Sequence, residues 1–211
     1  MTDTQQLLQG YSDFHQRYFH DEPILYEKLH QEGQSPKVLV VACCDSRVDP
    51  ALITNAKPGD MFVLRNIANM IPPFHANIHS VGSALEYGVL HLGVEHILVL
   101  GHSECGGINA LLHNSVKDSD CIDGWIAHGE PAKKRALEQH SLDCAQECCE
   151  RENIILSIEN LLSYPWVNRR VAEGGLQLHG WHFNIADGSI ARYDPQSQAF
   201  HAIDGSTARK L

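Results

Sequence analysis

Positive charge is what this chain holds least of. Its 211 residues carry 16 Lys and Arg against 26 Asp and Glu, a formal net charge of −10. Nucleic-acid affinity leans on Lys and Arg, so this balance excludes a general phosphate-backbone binder. Long apolar runs are also missing. No stretch approaches the ~20 residues a membrane helix needs. The opening "MTDTQQLLQG" lacks both a basic start and an apolar core, so no signal peptide is expected and the expected compartment is the cytoplasm. Internal repeats and low-complexity segments are absent. Aromatic content is low, at 7%, as in close-packed α/β proteins. Cysteine, by contrast, is plentiful: Cys43, Cys44, Cys105, Cys121, Cys144, Cys148 and Cys149. An odd count in a reducing compartment points to free thiols, metal ligands or catalytic groups rather than disulfides.

The apolar pattern divides the chain into a helical arm, residues 1–33, and an α/β core, residues 34–211, of one domain. Leu7, Leu8, Tyr11, Phe14, Tyr18 and Phe19 recur at helical spacing within 4–32, and "EGQSP" breaks that pattern. "KVLVVA" (37–42), "MFVLRN" (61–66) and "EHILVLGH" (95–102) read as buried strands. A helix is expected over 79–92, another from Gly106 to about 114, and a long one from Pro131 to about Leu162. Residues 176–195 read as strand, tight turn, strand. Alternating strands and helices imply crossover units, a mostly parallel central sheet flanked by helices. Ligands of such sheets collect beyond the carboxyl ends of the strands.

Two of those strand ends carry chemistry. "VVACCDSRVDP" (40–50) ends a buried run in two thiols and a charge pair, and "GHSECGG" (101–107) contains His-x-x-Cys. Cys43, His102 and Cys105 together offer two thiolates and an imidazole, a set that suits tetrahedral zinc better than copper(I) or an iron–sulfur cluster. The plain alternatives are a small buried hydrophobe for a strand-end Cys and, for Asp45 with Arg47, a surface ion pair worth about 0–1 kcal/mol.

Cys43-x-Asp45-x-Arg47 combined with His102-x-x-Cys105-Gly106 resembles the β-class carbonic anhydrases. "PGDMFVLRNIANMIPP", "SALEYGVLHL" and "LHGWHFNIADG" are similar to segments of that family, so the resemblance runs from about Gln34 to the end. Val40 stands where another branch has a Trp of an inhibitory bicarbonate pocket, which aligns the chain with the plant-like branch. The resemblance implies Zn2+ held by Cys43, His102 and Cys105, and reversible hydration of carbon dioxide to bicarbonate and a proton. Asp45 then either orients the attacking oxygen or swings in as a fourth metal ligand, and Arg47 decides between the two. Gln34, Phe62, Ile67, Tyr87 and the Gly106 N–H are the implied substrate-binding groups. A homodimer or homotetramer is also implied, with Gln34, Phe62 and Tyr87 serving the neighbouring chain's zinc.

A site with two thiolates carries less positive charge than one with three imidazoles, so activity is expected to rise from about pH 7 to 9. Cys44 departs from the family's usual small residue, and strand alternation assigns it to packing. His140, Cys144 and Cys148 would share a helix face, although thiols packed on the sheet explain that pattern equally well. Three rival readings stay open: hydrolysis of carbon disulfide or carbonyl sulfide, a closed zinc-stabilised binding module, and a thiol-redox protein.

Overall fold

The computed structural model describes residues 2–75, 79–142 and 145–203. The chain divides into two compact units, Met1–Ser35 and Pro36–Leu211. In the first, helix α1 (Asp3–Gln16) starts at a capping box in which Thr2 and Gln5 satisfy each other's backbone N–H. A π turn over Arg17–Asp21 leads to α2 (Ile24–Glu32), which ends at Gly33 with φ 76°. Neither helix buries a residue. Phe14, Tyr18, Phe19 and Tyr26 instead stack on one another, with Phe14–Tyr18 and Phe19–Tyr26 centroids each 5.1 Å apart.

The second unit is built on a six-stranded sheet in the order β2-β1-β3-β4-β5-β6. Its strands are β1 (Val38–Cys43), β2 (Met61–Asn66), β3 (His96–His102), β4 (Gln177–Phe183), β5 (Ile190–Asp194) and β6 (Ala199–Ile203). The first four run parallel, and the β4–β5 and β5–β6 pairs are antiparallel. β1 and β3 lie inside the sheet and are buried on both faces, which is why they read as unbroken apolar runs. Leu39, Val41, Ile97 and Val99 point into the larger core, while Val40, Ala42, Leu98 and Leu100 form a smaller cluster with Trp181 and Phe183.

Helices α3 (Pro50–Thr54), α4 (Ser80–Glu86, continuing as a π turn over Tyr87–His91) and α5 (Gly106–His113) fill the connections between strands. The next helices are α6 (Ile122–Ile126), α7 (Glu130–Gln139), α8 (Ala145–Leu161) and α9 (Pro165–Ala172). The long helix expected from Pro131 to Leu162 is therefore two helices. His140 is the extended cap of α7, with φ −136° and ψ 151°, so it shares no helix with Cys148. Cys144 lies outside the described residues. Cys44 is exposed rather than packed, because the chain has already left β1 and its N–H bonds the Asn66 carbonyl, 2.9 Å.

α8 lies unusually close to the sheet. A Cβ built on Gly101 would meet Ile154 Cδ1 at 2.7 Å and Cγ1 at 2.8 Å, and one built on Gly180 would meet Ile154 Cγ2 at 2.7 Å. Two glycines on adjacent strands thus make the slot into which fully buried Ile154 fits.

Candidate metal centre

The carboxyl ends of β1 and β3 are neighbours, and the site forms there. Cys43 is the last residue of β1 and His102 the last of β3. Cys105 is the N-cap of α5. All three are buried, and their Sγ and ring nitrogen atoms lie within 4.8 Å of one another. His102 Nδ1 is 2.8 Å from the Ser103 carbonyl oxygen. A carbonyl only accepts, so Nδ1 carries the proton and Nε2 presents a lone pair. That Nε2 is buried and has no hydrogen-bond partner. A buried polar atom of this kind is costly unless something satisfies it. Two soft sulfur donors and one imidazole lone pair are the donor set that zinc takes, so these residues fit that ion.

The two thiols differ. The Cys105 thiol beside Cys43 holds Cys43 well below the usual thiol range, against the opposing effect of burial. The same contact, aided by burial, pushes the Cys105 thiol up. Zinc takes cysteine as thiolate, so metal uptake is coupled to proton release.

Asp45 is not part of this cluster. Its carboxylate faces Arg47, whose Nε donates to Oδ1 at 3.0 Å and Nη2 to Oδ2 at 2.8 Å, while the Arg47 backbone N–H reaches Oδ1 at 2.9 Å. The guanidinium holds the Asp45 carboxyl far below the usual carboxylate range. Arg47 also bridges to the loop after β3, 3.3 Å to the Glu104 carbonyl and 3.4 Å to its carboxylate. A second arginine fixes the loop beneath. Arg65, on β2, donates to the carbonyls of Cys43 (2.8 Å) and Asp45 (2.7 Å) and to the Asp49 carboxylate (3.0 Å). Asp49 in turn caps α3.

Gly106 opens α5 beside Cys105, and a Cβ there would stand in open space. Gly107 is different, because a Cβ on it would sit 2.7 Å from Ile67 Cγ2. Ile67 therefore packs against the first turn of α5, half-exposed, and its carbonyl is held by Trp125 Nε1 at 2.9 Å. Phe62 and Tyr87 lie elsewhere. Phe62 is level with Leu39 in the β1–β2 register, four residues and roughly 13 Å from Cys43 along the strands. Tyr87 packs on it, centroids 5.9 Å apart. Gln34 belongs to the first unit.

Sequence reasoning missed the residues behind the ligands. Arg65 gave no signal, though Asp49-Pro50 carries the N-cap signature of a helix start. Glu150 and Gln146 also bond the backbone of Cys105, with His182 behind Glu150, from positions no local pattern connects.

A mostly parallel sheet with a soft-donor ligand set where its strand ends meet defines an α/β metal-site protein of the kind that binds ligands at a topological switch point. A family model described as carbonic anhydrase matches residues 38–190. Beta carbonic anhydrase 3 of Arabidopsis thaliana is 41% identical over 189 residues, spanning 86% of this chain and 73% of that protein. The solved structure of the β-carbonic anhydrase CcaA is similar at TM-score 0.89 and 36% identity, over 96% of this chain and 100% of that one. One of two tetrameric β-carbonic anhydrases from Sordaria macrospora matches at TM-score 0.77 and 30% identity, over 90% and 95%. The chain belongs to the β-class carbonic anhydrases and is an enzyme, a lyase.

Proposed function

We propose that the protein catalyses the zinc-dependent, reversible hydration of carbon dioxide to bicarbonate and a proton, with Cys43, His102 and Cys105 holding the metal. The observation that carries this reading is the buried, unpartnered Nε2 of His102 facing two buried thiols. Bound zinc supplies the Lewis acidity that makes water a nucleophile near neutral pH. The chain's own groups do the rest. The Ser103 carbonyl fixes the imidazole tautomer. Asp45, kept ionised by Arg47, accepts a hydrogen bond from the attacking water and aims its remaining lone pair at the carbon. Arg47 keeps that carboxylate turned away from the three ligands by a two-pronged grip. The Gly106 N–H and half-exposed Ile67 border the space a small uncharged substrate would take. A closed zinc module would need a fourth protein ligand, and the cluster among the described residues has three.

Phe62 and Tyr87 act on a neighbouring chain's site in this reading. β2 is an edge strand that exposes apolar Val63, and Tyr87, about half-exposed, packs on its Phe62. Unpaired apolar edges of this kind are normally covered, which supports a homodimer or a homotetramer built from it. The test is stopped-flow hydration of carbon dioxide with a pH indicator, before and after removal of zinc by a chelator. Hydration that depends on zinc is expected. A metal-loaded protein that hydrolyses carbon disulfide and leaves carbon dioxide alone would reverse the choice of substrate.

A further inference from the structure

Glu150 and His182 are the most deeply buried titratable pair that the proposed chemistry leaves unused, at 2% and 3% exposure. They stand behind the third ligand. Cys105 begins α5 as its N-cap, but its sulfur faces the metal cluster and makes no capping bond. In an ordinary capping box a glutamate at the third helical position takes the N–H of the cap residue. Here that N–H goes to Glu150 Oε1, 2.9 Å away on α8. One turn earlier on α8, Gln146 Nε2 donates both to the Cys105 carbonyl, 3.2 Å, and to the same Glu150 oxygen, 2.7 Å. His182 Nε2, from β4, lies 3.1 Å from the other oxygen. Both backbone groups of Cys105 are thus gripped by one face of α8, and the grip is braced from the sheet.

We infer that Glu150 is a positioning residue of the metal centre: with Gln146 and His182 it fixes Cys105 and places a carboxylate behind the ligand set, and so sets how tightly the metal is held. The inference rests on the zinc reading above. Because Cys105 and Gln146 both donate to Oε1, that oxygen acts as an acceptor. In Glu150→Gln the amide oxygen can keep those two donors, and the amide nitrogen can donate to His182 Nε2 once that ring carries its proton on Nδ1, so the variant replaces the carboxyl group and preserves shape.

The experiment is zinc titration of metal-free protein against a competing chelator, with the melting temperature of the metal-free protein measured alongside. Glu150→Gln is expected to bind zinc about 10–100-fold more weakly, the usual range for an outer partner of a ligand, with its metal-free melting temperature little changed. The thiolate charge-transfer band of the cobalt-substituted protein should shift with it. A merely structural role would lower the melting temperature and leave the affinity of the folded protein unchanged, which would overturn the proposal. Gln146→Met, at a partly exposed position, is the second variant. It should weaken zinc several-fold, and wild-type affinity there would also count against the grip. Wild-type protein that takes up no zinc would instead overturn the underlying reading, a result the titration separates from the others.

Discussion

Adding a single methyl group at Gly101 should destabilise the protein. Gly101 has no left-handed φ, so alanine meets no backbone objection there, and the outcome depends on space. The new Cβ would fall 2.7 and 2.8 Å from two carbons of Ile154, closer than carbon atoms approach. Ile154 has no easy retreat, because its Cγ2 already fills the slot left by Gly180. Overpacking of this kind costs about 1–3 kcal/mol, and the blocked retreat places the cost in the upper part of that range. Against it stands the loss of unfolded-chain freedom when glycine becomes alanine, which stabilises by about 0.4–1 kcal/mol. The net expectation for Gly101→Ala is a loss of about 1–2 kcal/mol. For a chain of this size that corresponds to a melting temperature lower by about 2–8 °C.

Equilibrium urea unfolding of the metal-free protein reads the loss directly. Ile154→Val removes the nearer clashing carbon, so the double variant should show a favourable coupling of about 1 kcal/mol in a mutant cycle. Without a clash, Gly101→Ala would come out more stable than wild type. That sign, or a cycle with no coupling, would refute the close approach of α8 to the sheet. It would also loosen the account of the site, since the same helix carries Gln146 and Glu150.

Arg47→Lys should keep its zinc, as metal analysis would show, but hydrate carbon dioxide about tenfold or more slowly, because a single ammonium cannot reproduce the two-pronged hold on Asp45; wild-type turnover would count against the gate. Tyr164→Phe should lower stability by about 1–2 kcal/mol in urea, since the buried hydroxyl donates to the Pro72 carbonyl at 3.0 Å and no other group replaces it. Burial first, and then His96 and Arg192, hold His179 below the ordinary imidazole value of 6.5. The folded protein therefore takes up that proton less readily than the unfolded chain, so the contribution is full above about pH 6.5 and is lost as pH falls below it. The melting temperature of wild type should fall more steeply than that of His179→Gln between pH 8 and pH 5, and parallel curves would contradict this.

The sequence made the sheet legible because β1, β2 and β3 are short apolar runs bounded by turn residues, and the ligand motifs sit at their ends. β6 was not legible: its alternation is weak, and its main apolar anchor, Phe200, packs against the core and under Arg151 of α8, contacts remote in sequence. The break between α7 and α8 was hidden for a related reason, since residues 139–141 are polar and helix-tolerant, and the extended His140 that ends α7 is marked by no proline or glycine. At the site, the three ligands were local signals. The support behind them was not, because Glu150 reaches Cys105 across 45 positions and Arg65 reaches Cys43 across 22. Cys44 was misjudged through strand alternation applied one residue past the strand.

The most direct test of the account is a zinc titration of metal-free enzyme in which the carbon dioxide hydration rate is followed at each addition. The rate should climb linearly and stop at one zinc per chain, with no recovery in Cys43→Ser, His102→Asn or Cys105→Ser. Full activity in protein shown to hold no metal, or recovery in any of those three variants, would contradict it.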